Sequence, residues 1–322
     1  MRKTLALLLM LAGPVHADVE TAVTDQILPG YAAFAEATAA LATAAEASCD
    51  PQLLDAPYQA AFDAWLGVSH LHLGPGEEQG RTLAIAFWPD PKGLGWKHQQ
   101  ALLTGDPAAL EPAAFAEQSV AARGFFGLER LLYPAAAMPA DPCPLIRATT
   151  ADLARMAAEI QAGWQGGFAD LLLTAGQPGN STYLTEDEAK QALFTQLASA
   201  LEFDADQRLG RPLGTFDKPR PERAEAIAAG RSRRNLLLSL QSLRAFALAL
   251  SPDLPQSMAG FDKAVALVGA AEDPVFAAVA DPSGRLKVEI LQQTIRALRQ
   301  TLVAELGAQL GVDVGFNSAD GD

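Results

Sequence analysis

Apolar residues recur at intervals of three and four along most of this chain, a spacing that commits it to packed helices. Over 23–47, Ile27, Tyr31, Phe34 and Leu41 fall on one side, with Thr38 filling the gap between them. Pro29 has no N–H to donate, so it must sit in a first turn or kink that helix. A second helix lies within 51–72, with Tyr58, Phe62, Trp65 and Leu66 as its apolar face. Further helical patterns cover 97–103, 119–133, 145–173, 222–250, 257–267 and 286–310. Thr185 and Glu188 have capping-box spacing, which predicts a helix from there to about 207. Strand signals are sparse and never alternate with the helices. The expected class is all-α, with two packed helical bundles. The Gly- and Pro-containing stretch 176–185 is the best internal boundary, giving an N-terminal half 18–175 and a C-terminal half 176–322 that together form one domain.

The first seventeen residues read as a signal peptide. Arg2 and Lys3 supply a positive start, residues 5–12 are uninterrupted apolar sequence, and Val15-His16-Ala17 fits a small-x-small cleavage site. That apolar run is too short to span a membrane, and nothing later approaches about 18 uninterrupted apolar residues. The expected location is the periplasm or cell envelope, with no transmembrane segment in the mature chain. Export bears on Cys49 and Cys143, the two cysteines of the chain. An even count in an oxidising compartment predicts a disulfide between them. The formal charge is −14, and loss of Arg2 and Lys3 takes it to −16. A surface this acidic argues against nucleic acid as a partner.

One acid stands inside an apolar stripe. In Gly124-Phe125-Phe126-Gly127-Leu128-Glu129-Arg130-Leu131-Leu132-Tyr133, Glu129 has Phe125 and Phe126 one turn behind and Leu132 and Tyr133 one turn ahead. Burying an unpaired carboxylate costs several kcal/mol, so such a residue is exposed, paired or functional. For the paired reading, Arg81, Arg147 and Arg233 are the candidate partners, since Arg123 is badly placed on a straight helix.

The segment Gly124 to Glu129 resembles the signature Gly-x-His-x-x-Glu of the imelysin-like family, with Phe126 at the histidine position. Other segments are similar to that family too. They include Gln26 to Tyr31, His70 to Pro75, Ala84 to Asp90, Lys218 to Glu225 with Arg231 to Asn235, and Gly315 to Asp322. Their order and spacing make the resemblance specific. It implies two helical bundles exported to the envelope and linked to iron acquisition, with envelope or iron-transport proteins as partners. It also implies that the motif's histidine and glutamate are metal-binding or functional residues; only Gly124 and Glu129 carry over.

Phenylalanine donates no lone pair, so a centre for iron or another divalent metal needs Glu129 with ligands from elsewhere. His70 and Asp90 are the candidates taken here, ahead of His72, His98 and Asp320. No catalytic residue is assigned. There is no His-Glu-x-x-His helix and no Gly-x-Ser-x-Gly turn, although the older family label is that of a peptidase. The run Arg231 to Arg234 reads as the solvated face of a helix. The expected function is therefore a non-enzymatic binding or accessory component of periplasmic iron acquisition. A metallopeptidase-type hydrolase and an envelope scaffold without a metal site are its rivals.

Overall fold

The computed structural model describes residues 18–312. The expected signal peptide and the segment Gly315 to Asp322, with Asp320, lie outside those residues. Among the described residues the fold is all-α; no strand forms, and a single isolated bridge joins Thr215 to Lys218.

Pro29 decides how the first helix begins. A short helix Val19–Thr21 runs into a wide π-turn, Ala22–Ile27, and then into α1, Leu28–Ala47, which holds Pro29 in its first turn. Proline cannot supply the next rung of the ladder, and the wide turn before it accommodates the loss. Next comes α2, Pro51–Leu66, capped by the Asp50 carboxylate accepting from the Gln52 N–H at 2.9 Å. The other long helices are α3, Leu94–Thr104; α4, Gly124–Leu132; α5, Cys143–Gly163; α6, Glu186–Phe203; α7, Ser232–Leu250; α8, Pro255–Ala270; and α9, Pro282–Leu310.

Packing follows the apolar faces. α1 lies against α2 and α5, while α9 lies against α6 and α8. α7 touches α8, α6 and α2, and so joins the two groups. The buried side chains merge into one core that runs through both. At the expected capping box, Thr185 Oγ1 accepts from the Glu188 N–H at 3.2 Å, and the Glu188 carboxylate accepts from the Leu184 N–H at 2.5 Å.

Three expected helices are broken, each for a local reason. Within 119–133, Arg123 is extended and Gly124 left-handed (φ +66°), so α4 starts only at Gly124. Within 222–250, α7 starts at Ser232; Ala226 ahead of it is left-handed (φ +48°) and residues 224–231 are irregular. Within 145–173, a wide turn at Trp164–Phe168 contains Gly167 at φ +137°.

The Cys49–Cys143 disulfide forms as expected, tying the second residue after α1 to the start of α5 across 94 positions. Closing so long a loop restricts the unfolded chain, an effect of about 2–4 kcal/mol. The double variant Cys49→Ser/Cys143→Ser should lose that much in guanidinium unfolding, and reduced wild-type protein should unfold at the same midpoint. A variant as stable as the oxidised protein would show that the bridge contributes nothing. No helix among the described residues is long and apolar enough to cross a membrane.

Candidate functional site

The helix carrying Glu129 is fixed at its N-terminus by two adjacent residues. Arg123 forks onto Asp152, with Nε at 2.8 Å and Nη2 at 3.1 Å from its two oxygens, and Nη1 donates to the Ala116 carbonyl at 2.6 Å. At Gly124 the backbone passes so close to the 81–85 helix that a Cβ would lie 2.2 Å from the Ala84 carbonyl oxygen and 2.3 Å from that of Ile85. α4 is thereby pressed into the core, where every residue except Arg130 is buried. Phe126 stands edge-on to Phe62 (centroids 5.7 Å) and stacks with Trp88 (6.4 Å). The motif's histidine position is thus part of an aromatic row.

Glu129 is only 7% exposed. Its Oε1 accepts from the Ala229 N–H at 3.0 Å. Burial pushes its carboxyl up from the ordinary range, while the Ala229 N–H and the Arg130 charge pull it back. The expected arginine partner does not materialise. Arg81 pairs with Glu159 at 2.9 Å and with Glu78 at 3.2 Å, Arg147 lies 3.8 Å from Glu46, and Arg233 forms no ion pair among the described residues. The reason is the irregular stretch before α7. Inside a helix the Ala229 N–H would be spent on the ladder; in a loop it is free to bond the carboxylate.

Around Glu129 opens a cleft of about 800 Å³. Phe87, Trp88, Trp96, Phe126 and Tyr133 give it aromatic walls, and Arg130, Arg211 and Arg223 reach it from two sides. Arg130 donates to Gln99 Oε1 at 2.9 Å and to the Ala121 carbonyl at 2.5 Å. Arg211 lies over Trp88, 5.6 Å from the ring centroid, and its Nε has no hydrogen-bond partner. Burial, and then the neighbouring charge of Arg223, lower its pKa.

Of the residues singled out in the sequence, Phe126, Glu129 and Asp90 line this cleft, and Gly124 seats its helix. Asp90 is occupied: its two oxygens accept from the Leu94 N–H at 3.0 Å and the Gly95 N–H at 2.7 Å, at the start of α3. His70 is elsewhere, in a neighbouring cavity of about 460 Å³ with Trp88 as common wall. It is buried against Phe246 (centroids 4.9 Å), and that burial, reinforced by His72, pushes its pKa down to about 3, leaving a neutral imidazole. Among the described residues no three His, Cys, Asp or Glu side chains come together as a metal site. Phe126 offers no donor, and Asp90 and Glu129 are held by backbone N–H groups. These residues do not fit a bare metal ion.

Sequence reasoning passed over two buried charge clusters. Arg231, expected on a solvated face, is 1% exposed. It donates to Asp63 at 2.6 Å, to Asn235 Oδ1 at 3.1 Å and to the Gln59 carbonyl at 3.2 Å, and lies over Phe62 at 4.6 Å. Deeper in, Arg208 bridges Asp204 and Glu225. The only cue available beforehand was the i,i+4 spacing of Asp204 and Arg208.

The sequence profile of the imelysin family matches residues 27–302. The crystal structure of an imelysin-like protein from Psychrobacter arcticum 273-4 is similar at a TM-score of 0.75 and 22% identity, over 94% of this chain and 99% of that one. A Parabacteroides distasonis ATCC 8503 protein named as an iron-regulated protein A precursor is similar at a TM-score of 0.65 and 14% identity, over 93% and 97%. No similar sequence is found among curated proteins. At these identities the two structures speak for the fold. With the profile spanning most of the chain, the protein belongs to the imelysin family.

Proposed function

We propose that this chain is an exported, non-enzymatic binding or accessory component of iron acquisition, acting in the periplasm. The observation that carries the reading is the aromatic-walled cleft around Glu129, bordered on one side by α4 and on the other by the 224–230 loop. Its size suits an organic ligand. Its two committed carboxylates favour an iron complex that brings its own donor atoms over a bare ion. The name of the Parabacteroides distasonis protein supports the link to iron. Division into halves 18–175 and 176–322 belongs to the same proposal, with the cleft between them and an envelope or iron-transport protein as partner.

Deletion of the gene should slow growth under iron chelation and leave iron-replete growth unchanged, and the protein should fractionate with the periplasm. No iron-dependent phenotype, or a cytoplasmic protein, overturns the proposal. Peptidase activity that survives stringent purification and vanishes in Glu129→Ala would restore the hydrolase reading.

Glu129 also has a structural consequence. Glu129→Ala leaves the part-buried Ala229 N–H without its acceptor and should cost about 1 kcal/mol in urea unfolding. Glu129→Gln keeps an oxygen at that place and should stay within about 0.5 kcal/mol of the parent. Equal losses in the two variants would show that the hydrogen bond is not the source.

A further inference from the structure

We propose that the cavity around His70 is a second binding chamber, which takes a small uncharged hydroxyaromatic molecule whose hydroxyl bonds the His70 imidazole. The chamber measures about 460 Å³; Trp65, Trp88, Phe203 and Leu83 form the apolar part of its wall, and polar side chains such as Ser69, Thr82, Gln196 and Ser199 form the rest. Among its polar side chains, His70 is the one with a buried nitrogen that has no partner. It is 7% exposed, and its Nε2 is sealed from solvent without a hydrogen-bond partner. Buried polar groups in folded proteins almost always have partners, so an imidazole with none calls for one from outside the chain. Phe246 holds the ring in place at 4.9 Å.

Charge selects the class of ligand. Arg208 and Glu225 form part of the wall, and Asp204 stands behind them. Two carboxylates against one guanidinium leave that side formally negative, which repels an anion. A cation would compete for ring faces already covered, since Arg208 lies over Phe203 at 5.0 Å and Arg211 over Trp88 at 5.6 Å. A neutral imidazole has one nitrogen that accepts and one that donates, and a hydroxyl can satisfy either. An aromatic body matches the rings around it.

The test is calorimetric titration of the full mature protein with 2-naphthol, and with 2-naphthoate as its anionic counterpart. The expected result is saturable binding of one 2-naphthol per chain, with 2-naphthoate at least tenfold weaker. His70→Phe keeps a ring against Phe246 and should weaken 2-naphthol at least tenfold; Glu129→Gln in the larger cleft should leave it unchanged. Leu83 is 53% exposed at the chamber wall, so Leu83→Trp fills the space without disturbing the core. It should block binding to the same degree, which keeps the proposal testable if His70→Phe folds poorly. No saturable binding overturns the proposal, as does 2-naphthol affinity that His70→Phe and Leu83→Trp leave intact. Loss on Glu129→Gln instead would place the ligand in the Glu129 cleft and also overturn it.

Discussion

Gly124→Ala is expected to cost at least about 3 kcal/mol in guanidinium unfolding, with a loss of α4 packing visible in near-ultraviolet circular dichroism. Two costs combine. A left-handed residue with a Cβ carries roughly 1–2 kcal/mol of strain, and Gly124 sits at φ +66°. The new Cβ would also lie 2.2 Å and 2.3 Å from two carbonyl oxygens and 2.7 Å from the Ile85 carbonyl carbon. These are backbone atoms, so relief requires the 81–85 helix to move. Gly80→Ala separates the two costs. Gly80 has φ +65° and open space where its Cβ would stand, so it should lose only the conformational share, about 1 kcal/mol. Equal losses at the two positions would remove close approach as the reason for the motif glycine.

That glycine marks how far the sequence could be read. The faces of α1 and α2 were legible because their periodicity is set by burial: Tyr31, Phe34, Leu41, Tyr58, Phe62, Trp65 and Leu66 are all in the core. The disulfide was legible because the export expected from the first seventeen residues and an even cysteine count point the same way. What could not be read is where helical sequence fails to form helix. Residues 224–229 are alanine apart from Glu225 and Ile227, a composition that favours helix on propensity alone until Gly230. Tertiary contacts hold them irregular instead. The Ser232 hydroxyl bonds the Glu225 carbonyl, Arg208 holds the Glu225 side chain, and Glu129 takes the Ala229 N–H.

The candidate site was legible as a segment but not as chemistry. Glu129 stood out as an acid in an apolar stripe that had to be exposed, paired or functional, and the structure buries it. Its partner came from 100 positions away and from the backbone, a donor that no side-chain pattern announces. Phe126 was visible as a missing histidine. Its role became visible only with Phe62 and Trp88 on either side of it. Asp90 and Glu129 share one cleft because loop and helix meet there, whereas His70 lines the neighbouring cavity that has Trp88 as a common wall.

Arg208→Leu should destabilise the protein by about 3–5 kcal/mol at neutral pH, because it strands two buried carboxylates. Arg208 Nε donates to Glu225 at 2.8 Å, and its Nη1 donates to Asp204. Ser239 donates to both Asp204 oxygens, at 2.9 Å and 3.1 Å. Asp204 is wholly buried, and that burial, opposed by Arg208, pushes its pKa up to about 6. The sign of the pH effect follows from this. Between the ordinary aspartate value near 4 and about 6, the folded state holds a proton that the unfolded chain has released. Stability from this group is therefore full below pH 4 and declines as pH rises through 6. Without Arg208 the carboxylates need protons still more, so the deficit of Arg208→Leu should be smaller at pH 4.5 than at pH 7.5. Adding Asp204→Asn should recover part of the loss, a coupling expected of residues in direct contact. The loop that supplies the Ala229 N–H is anchored through Glu225, so the same variant should also loosen the wall of the Glu129 cleft. Hydrogen exchange at Ala229 reads that loosening. A deficit independent of pH, with Ala229 still protected, would show that the ion pairs do not hold the loop.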